Sequence, residues 1–240
     1  MKKMLLNLTK NLLRKYNIKP AKRLGQNFLI DENALHKLVN AAEVTAQDTV
    51  LEVGAGIGTI TAELAKRAKR VIAVEKDRSL IPILREATKD YENIEIIVGD
   101  ILKVGKIKNF KIVGNIPYYL TAPLIRKFLE TENLPQTMTL MVQKEMAERI
   151  CAKPPDMSIL AVSVQVYAKP EIVAYVPRSS FWPVPEVDSA IIKIPPNPPL
   201  AIYQLVHDRE LYDKNFFRIV KAGFKSPRKQ LINNLSEGLN

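Results

Sequence analysis

A 240-residue chain that is 47% hydrophobic and carries a formal net charge of +11 can bury a large core, which excludes a disordered chain. Its apolar runs are too short for a membrane span, Met4-Leu5-Leu6 before Lys10 is too short for a signal-peptide core, and the lone Cys151 excludes an internal disulfide framework, so a soluble cytoplasmic protein is expected. The charge favours a polyanionic partner, most simply nucleic acid, and it lies at both ends: eight Lys or Arg and no acid from Met1 to Leu24, then Lys214, Arg218, Lys221, Lys225, Arg228 and Lys229.

The basic arm, residues 1–24, leads through Pro20 into Gly25-Gln26-Asn27-Phe28-Leu29. Asp31 can cap a helix whose Leu35, Leu38, Val39 and Ala42 share one face. The stretch from Thr49 to Gly58 is a short apolar run broken by Gly54, Gly56 and Gly58 at alternate positions. It reads as a buried strand entering a tight turn, where the missing Cβ atoms let backbone approach a ligand. Ile60, Leu64 and Ala68 continue at helical spacing, Arg70 closes that helix, and Val71 to Glu75 is the next strand.

The alternation continues with a helix from Ser79 to Thr88, Pro82 in its first turn, and a strand from Ile94 to Val98 ending at Gly99-Asp100. Lys111 to Gly114 is a fourth strand that stops at Asn115-Ile116-Pro117-Tyr118. A helix from Ala122 to Glu130, a strand from Met138 to Val142 and a helix from Lys144 to Cys151 follow. This order predicts a doubly wound, Rossmann-like α/β sheet.

Ser158 to Ala168 fits a helix or a strand equally. Glu171 to Val176 and Ala190 to Ile194 read as strands around a proline-punctuated loop, Pro177 to Pro185, that carries Phe181 and Trp182. Pro195, Pro196, Pro198 and Pro199 mark a boundary between a main domain, residues 25–199, and a helical tail, residues 200–240. In the tail, Phe216, Phe217, Val220 and Phe224 mark one amphipathic helix, and Leu231 and Leu235 a second.

In an open α/β sheet, ligands bind outside the carboxyl ends of the strands, and the glycine turn, Glu75, Asp100 and Asn115 to Tyr118 all fall there. A dinucleotide fingerprint needs a glycine where Thr59 stands, which disfavours a nicotinamide oxidoreductase. Glu52 beside the turn suits the sulfonium and ammonium of S-adenosylmethionine better than an anionic pyrophosphate. Glu75 is placed for ribose hydroxyls and Asp100 for an adenine amine. Pro117 stiffens its turn, so that the Ile116 carbonyl and the Asn115 side chain can both accept hydrogens from one amine while Tyr118 stacks on the base. That amine is a poor nucleophile until its lone pair is aimed at the methyl group. His36 and His207 lack metal-ligand spacing and Cys151 has no evident base partner, so no metal or thiol chemistry is expected.

The segments Gly25 to Leu29, Glu52 to Gly58, Asn115 to Tyr118, Val142 to Arg149 and Phe181 to Ala190, taken together and in order, resemble the ribosomal RNA adenine dimethyltransferases, most closely the small-subunit (KsgA-type) branch. The resemblance implies that Gln26, Asn27, Leu29, Glu52, Gly54, Gly56, Glu75, Asp100 and Asn115 line an S-adenosylmethionine site. It implies that Asn115, Ile116, Pro117, Tyr118 and Phe181 hold the target base. Such enzymes, expected as monomers, place two methyls on each of two adjacent adenines in a small-subunit rRNA hairpin, without a metal, during ribosome biogenesis. Two departures stand out: Asp156-Met157-Ser158-Ile159 replaces a Tyr-Gly pair before a Leu-Ser run, and the segment from Phe224 to Leu235 resembles only the opening of the family's helical domain, with Pro227 at one usual arginine. A truncated or reduced tail is therefore expected. The alternatives are a large-subunit adenine methyltransferase conferring macrolide resistance, which lacks the extended Phe181 segment, and a non-catalytic RNA-binding assembly factor, against which the intact Asn115 to Tyr118 segment speaks.

Overall fold

The computed structural model describes residues 2–21, 24–130, 134–197, 209–226 and 229–239. Expectations that fell on Lys22, Arg23, Pro198, Pro199, His207, Pro227 and Arg228 lie outside the described residues. In chain order the elements are α1 (Lys2–Lys15), β1 (Phe28–Leu29), α2 (Glu32–Ala41), β2 (Thr49–Val53), α3 (Thr59–Ala65), β3 (Arg70–Glu75), α4 (Ile81–Thr88), β4 (Ile94–Val98), β5 (Phe110–Asn115), α5 (Thr121–Leu129), β6 (Thr137–Gln143) and α6 (Lys144–Ile150). They are followed by α7 (Ile159–Gln165), β7 (Glu171–Val176), β8 (Phe181–Trp182), β9 (Ser189–Ile194), α8 (Arg209–Gly223) and α9 (Leu231–Leu239).

Seven strands form one mixed sheet in the order β4-β3-β2-β5-β6-β9-β7. The first five in chain order are parallel, whereas β9 runs antiparallel to both of its neighbours. Apolar side chains alternate to the two faces. Leu51, Val53, Ile112 and Leu140 pack with Leu124 and Phe128 of α5 and Val164 of α7. Val50, Val71 and Val113 pack with Leu35 and Leu38 of α2 and Leu64 of α3. Helices thus cover both faces, and the chain reverses its direction of travel across the sheet between β2 and β5. That switch point opens a crevice at the carboxyl ends of the two strands.

Local chemistry explains most boundaries. The Asp31 carboxylate caps α2 by accepting from Asn33 N and Ala34 N at 3.0 and 3.2 Å. Ser158 caps α7, which resolves Ser158 to Ala168 as helix; the Ala161 N–H donates to its hydroxyl at 3.4 Å. Arg70 opens β3 instead of closing the preceding helix. The Asp48 carbonyl accepts from Lys69 N and Arg70 N at 3.0 and 3.3 Å, drawing the chain into register with β2.

Two elements differ from the sequence reading. The basic arm contains a helix, α1, whose Leu5, Thr9, Leu12 and Leu13 turn inward at spacings of three and four, followed inward by Tyr16 just past its end. Leu13 packs with Phe28, Ile57, Leu80 and Ile83, and Lys15 and Tyr16 both bond the Glu86 carboxylate of α4. The Pro177 to Pro185 loop contains β8, which pairs antiparallel with β1 so that Phe28 faces Trp182 and Leu29 faces Phe181. In the tail, α8 and α9 pack as a hairpin in which Gly238 lies against Ala222, and Phe217 of α8 meets Tyr167 with ring centroids 6.3 Å apart. Among the described residues no helix is long and apolar enough to cross a membrane.

Candidate active site

A cavity of about 280 Å³ opens at the switch point. It is lined by Gln26, Asn27, Leu29, Gly54, Gly56, Glu75, Asp100, Asn115, Ile116, Pro117, Tyr118 and Phe181, so residues far apart in the chain meet around one space. Of the site residues expected from the sequence, Glu52 alone does not line it.

The glycine turn is held by its own hydrogen bonds. Gly54 N and Ala55 N donate to the Val74 carbonyl at 2.9 and 3.2 Å, and Gly58 N donates to the Ala55 carbonyl at 3.0 Å. Gly56 N donates to Glu75 Oε2 at 2.8 Å. Gly54, Gly56 and Gly58 have φ of 72°, 59° and 87°, a left-handed backbone that side chains strain. A pyrophosphate would need those N–H groups free and aimed at it. Here they are committed, and a carboxylate occupies one of them.

Glu75, almost fully buried, also accepts from Asp77 N at 2.7 Å. Burial raises its pKa above the usual carboxylate range, while the Asp77 and Gly56 N–H groups oppose that rise. Asp100 accepts from Lys76 Nζ at 2.9 Å and from Leu102 N at 2.9 Å, and these bonds hold its carboxyl below the ordinary value. The cavity therefore offers two carboxyl groups, Glu75 and Asp100, beside apolar walls from Leu29, Ile101 and Leu102. Such a donor set fits an uncharged nucleoside with hydroxyls and an amine, joined to a cationic group, and so fits S-adenosylmethionine.

Glu52 sits beneath this layer. It is 0% exposed, on the face of β2 that meets α3, and neither carboxylate oxygen has a hydrogen-bond partner. Burial and the nearby charge of Glu75 push its pKa up to about 8. A protonated acid under the turn carries no charge to offer a cation at neutral pH, which removes the electrostatic reason for expecting Glu52 in the site.

Asn115 ends β5 at the other wall. Its Nδ2 donates to the Asn27 carbonyl at 3.0 Å, which uses one of the two amide N–H groups and fixes which way the amide is turned, with its oxygen as an acceptor. The Ile116 N–H donates to the Met141 carbonyl at 2.9 Å, and the Pro117 carbonyl accepts from Leu120 N at 2.9 Å, which pins the turn on both sides. Gly114, directly before it, permits the close approach: a Cβ there would lie 2.5 Å from the Val53 carbonyl oxygen and 2.9 Å from Ile116 Cδ1. Tyr118 is half-buried beside Gln143, and burial raises its hydroxyl pKa. Phe181 is 2% exposed and reaches the same cavity from β8.

Gln26 and Phe181 were both expected in the site, but the two links that place them there had not been read from the sequence. Gln26 binds Asp77 through its amide, Nε2 to Oδ2 at 2.6 Å, tying the segment before β1 to the loop after β3. The β1–β8 pair brings Phe181 over the cavity; its only sequence signal was two apolar dipeptides about 150 residues apart. Burial pushes the Cys151 thiol up to about 11.

Residues 17–240 match the family model described as Ribosomal RNA adenine dimethylase. The chain belongs to that family. Within it, the chain is 44% identical over 236 residues to a ribosomal RNA small subunit methyltransferase A from Dehalococcoides mccartyi (strain CBDB1), covering 96% of this chain and 79% of that protein. The protein of the same name from Clostridioides difficile (strain 630) is 44% identical over 245 residues, covering 95% and 81% of the two chains. Among solved structures, a dimethyladenosine transferase from Plasmodium falciparum matches with a TM-score of 0.76 at 33% identity, over 86% of this chain and 74% of that one. The 23S rRNA methyltransferase ErmE matches with a TM-score of 0.75 at 31% identity, over 88% and 84%. As a member of this family, the chain is an S-adenosylmethionine-dependent rRNA adenine methyltransferase with a Rossmann-like sheet.

Proposed function

We propose that this chain dimethylates the exocyclic amines of two adjacent adenosines in a small-subunit rRNA hairpin during ribosome biogenesis, acting as a monomer in the cytoplasm. The observation that carries the reading is the Asn115 to Asn27 bond, which leaves the Asn115 oxygen as an acceptor in a cavity shared with Glu75 and Asp100. Relatives at 44% identity that are named for the small subunit support that choice of RNA. In this reading residues 25–199 form the methyltransferase unit, residues 1–24 a basic arm and residues 200–240 part of a helical domain.

Glu75 takes ribose hydroxyls, Asp100 the adenine edge, and Gln26 to Leu29 with Gly54 and Gly56 complete the donor's seat. When bound, S-adenosylmethionine supplies an electrophilic methyl group and takes up the electron pair of the broken carbon–sulfur bond. Asn115 Oδ1 and the Ile116 carbonyl accept the two hydrogens of the target amine, so its lone pair is directed at the methyl. Tyr118 and Phe181 hold the base ring. The amine gains a carbon–nitrogen bond and then loses its proton to water, so no basic side chain is needed at the nitrogen.

Incubation with labelled S-adenosylmethionine and either undermethylated small subunits or large-subunit RNA, followed by nucleoside analysis, tests the reading. Dimethyladenosine in the small-subunit RNA is expected. Product from large-subunit RNA alone would replace this reading with that of the macrolide-resistance methyltransferases, and no product from either would leave a binding factor.

A further inference from the structure

Helix α1 presents a strip with no acidic residue beside the β8 segment. Asn7, Lys10, Asn11 and Arg14, spaced by three and four, fall on one side of the helix, and all four are exposed. The opposite face of α1 is buried through Leu13 and Thr9, which are 2% and 1% exposed, so the strip is fixed on the body of the protein. Lys15, on the far edge, is already paired with Glu86 at 2.6 Å.

The strip adjoins the acceptor side of the active site. Lys10 Nζ lies 5.6 Å from the centroid of the Trp182 ring, and Trp182 follows Phe181, which lines the cavity. Two cations and two amides along about 10 Å of helix suit a chain of phosphate groups, which need donors at intervals along a line. From Met1 to Leu24 the sequence carries eight Lys or Arg and no Asp or Glu, so no carboxylate within this segment competes for the cations.

We propose that the Asn7-Lys10-Asn11-Arg14 face of α1 binds the phosphate backbone of the RNA strand leading away from the target adenosine. The proposal rests on the reading of the chain as an enzyme acting on rRNA and names the surface that receives the flank of that substrate. Contacts of this kind give affinity and register without reading bases. Loss of the strip should weaken RNA binding while leaving the methyl-transfer geometry untouched.

The test compares wild-type protein, Lys10→Gln/Arg14→Gln and a control with the same charge change, Lys106→Gln/Lys108→Gln, in the loop before β5 at the amino end of the sheet. The probe is a small-subunit rRNA hairpin with two adjacent adenosines, and its affinity is followed against salt. The α1 pair is expected to lower the slope of log affinity against log salt by about 1.5, with unchanged S-adenosylmethionine affinity and unchanged kcat at saturating RNA. The control pair is expected to keep the wild-type slope. Equal slopes for wild type and the α1 pair overturn the proposal, as does an equal drop in the control. Wild-type protein that binds the hairpin but forms no dimethyladenosine defeats the functional reading instead, and the slope comparison still decides the role of α1.

Discussion

The Asn115 side-chain amide donates to the backbone carbonyl of Asn27 at 3.0 Å, joining the end of β5 to the segment that enters β1. An asparagine amide that rotated freely would present its nitrogen as often as its oxygen. Binding the nitrogen to a carbonyl settles that choice. Gln26, next to Asn27, is held by Asp77, and Asp77 N donates to Glu75, so the two walls of the cavity share one network.

In the proposed reading Tyr118 contributes a ring, not an acid. Its hydroxyl pKa is raised by burial, which keeps it neutral throughout the physiological range. Tyr118→Phe should retain kcat and KM for RNA within about two-fold, whereas Tyr118→Ala should lose roughly 5- to 100-fold in kcat/KM, the range for removing one base–aromatic stack. Steady-state methylation of the hairpin reads both. A Phe variant as weak as the Ala variant would show that the hydroxyl has a role of its own.

Gly114 is a packing requirement that a strand assignment hides. A methyl group there meets the Val53 carbonyl oxygen at 2.5 Å, and that backbone belongs to a central strand that cannot yield cheaply. Gly114→Ala is expected to destabilise the fold by about 1–3 kcal/mol in urea unfolding. Gly99→Ala, where a Cβ meets nothing within 4 Å, is expected to be close to neutral. Equal midpoints for the two variants would contradict the assigned contact between β2 and β5.

Glu52 links stability to pH. Its pKa in the folded chain is raised to about 8 from an ordinary 4.5, so the folded state binds the extra proton between those values. The contribution is fully present below the unfolded pKa and is lost as pH rises toward and through the folded one, by an amount on the order of a few kcal/mol. Glu52→Gln should remove that decline, making the variant progressively more stable than wild type as pH rises from about 5 to about 9. Urea midpoints at several pH values measure the difference. Parallel curves would mean that Glu52 is not buried as an acid.

Much of this was legible because periodicity and strand-end chemistry are local. Each parallel strand was a short β-branched run, and Glu75, Asp100 and Asn115 stood at the strand ends where the sheet's handedness brings them together. Pairings between distant segments were not legible: nothing near Phe28 announces Trp182, and two-residue strands have no period. In α1 the positive charge masked the inward stripe formed by Leu5, Thr9, Leu12 and Leu13. Glu52 stands outside the cavity lining for a related reason. Its distance from the glycines along the chain is short, but strand alternation turns it to the α3 face, away from the cavity.

The central claim is that Asn115 positions the reacting amine, and single-turnover transfer from labelled S-adenosylmethionine to the small-subunit hairpin by Asn115→Ala tests it most directly, with donor affinity measured on the same preparation. The expected result is a fall of at least about a hundred-fold in the transfer rate, comparable to removing one preorganised polar group at a reaction centre. Unfolding should be little changed and the donor should still bind. Transfer at the wild-type rate would contradict the claim.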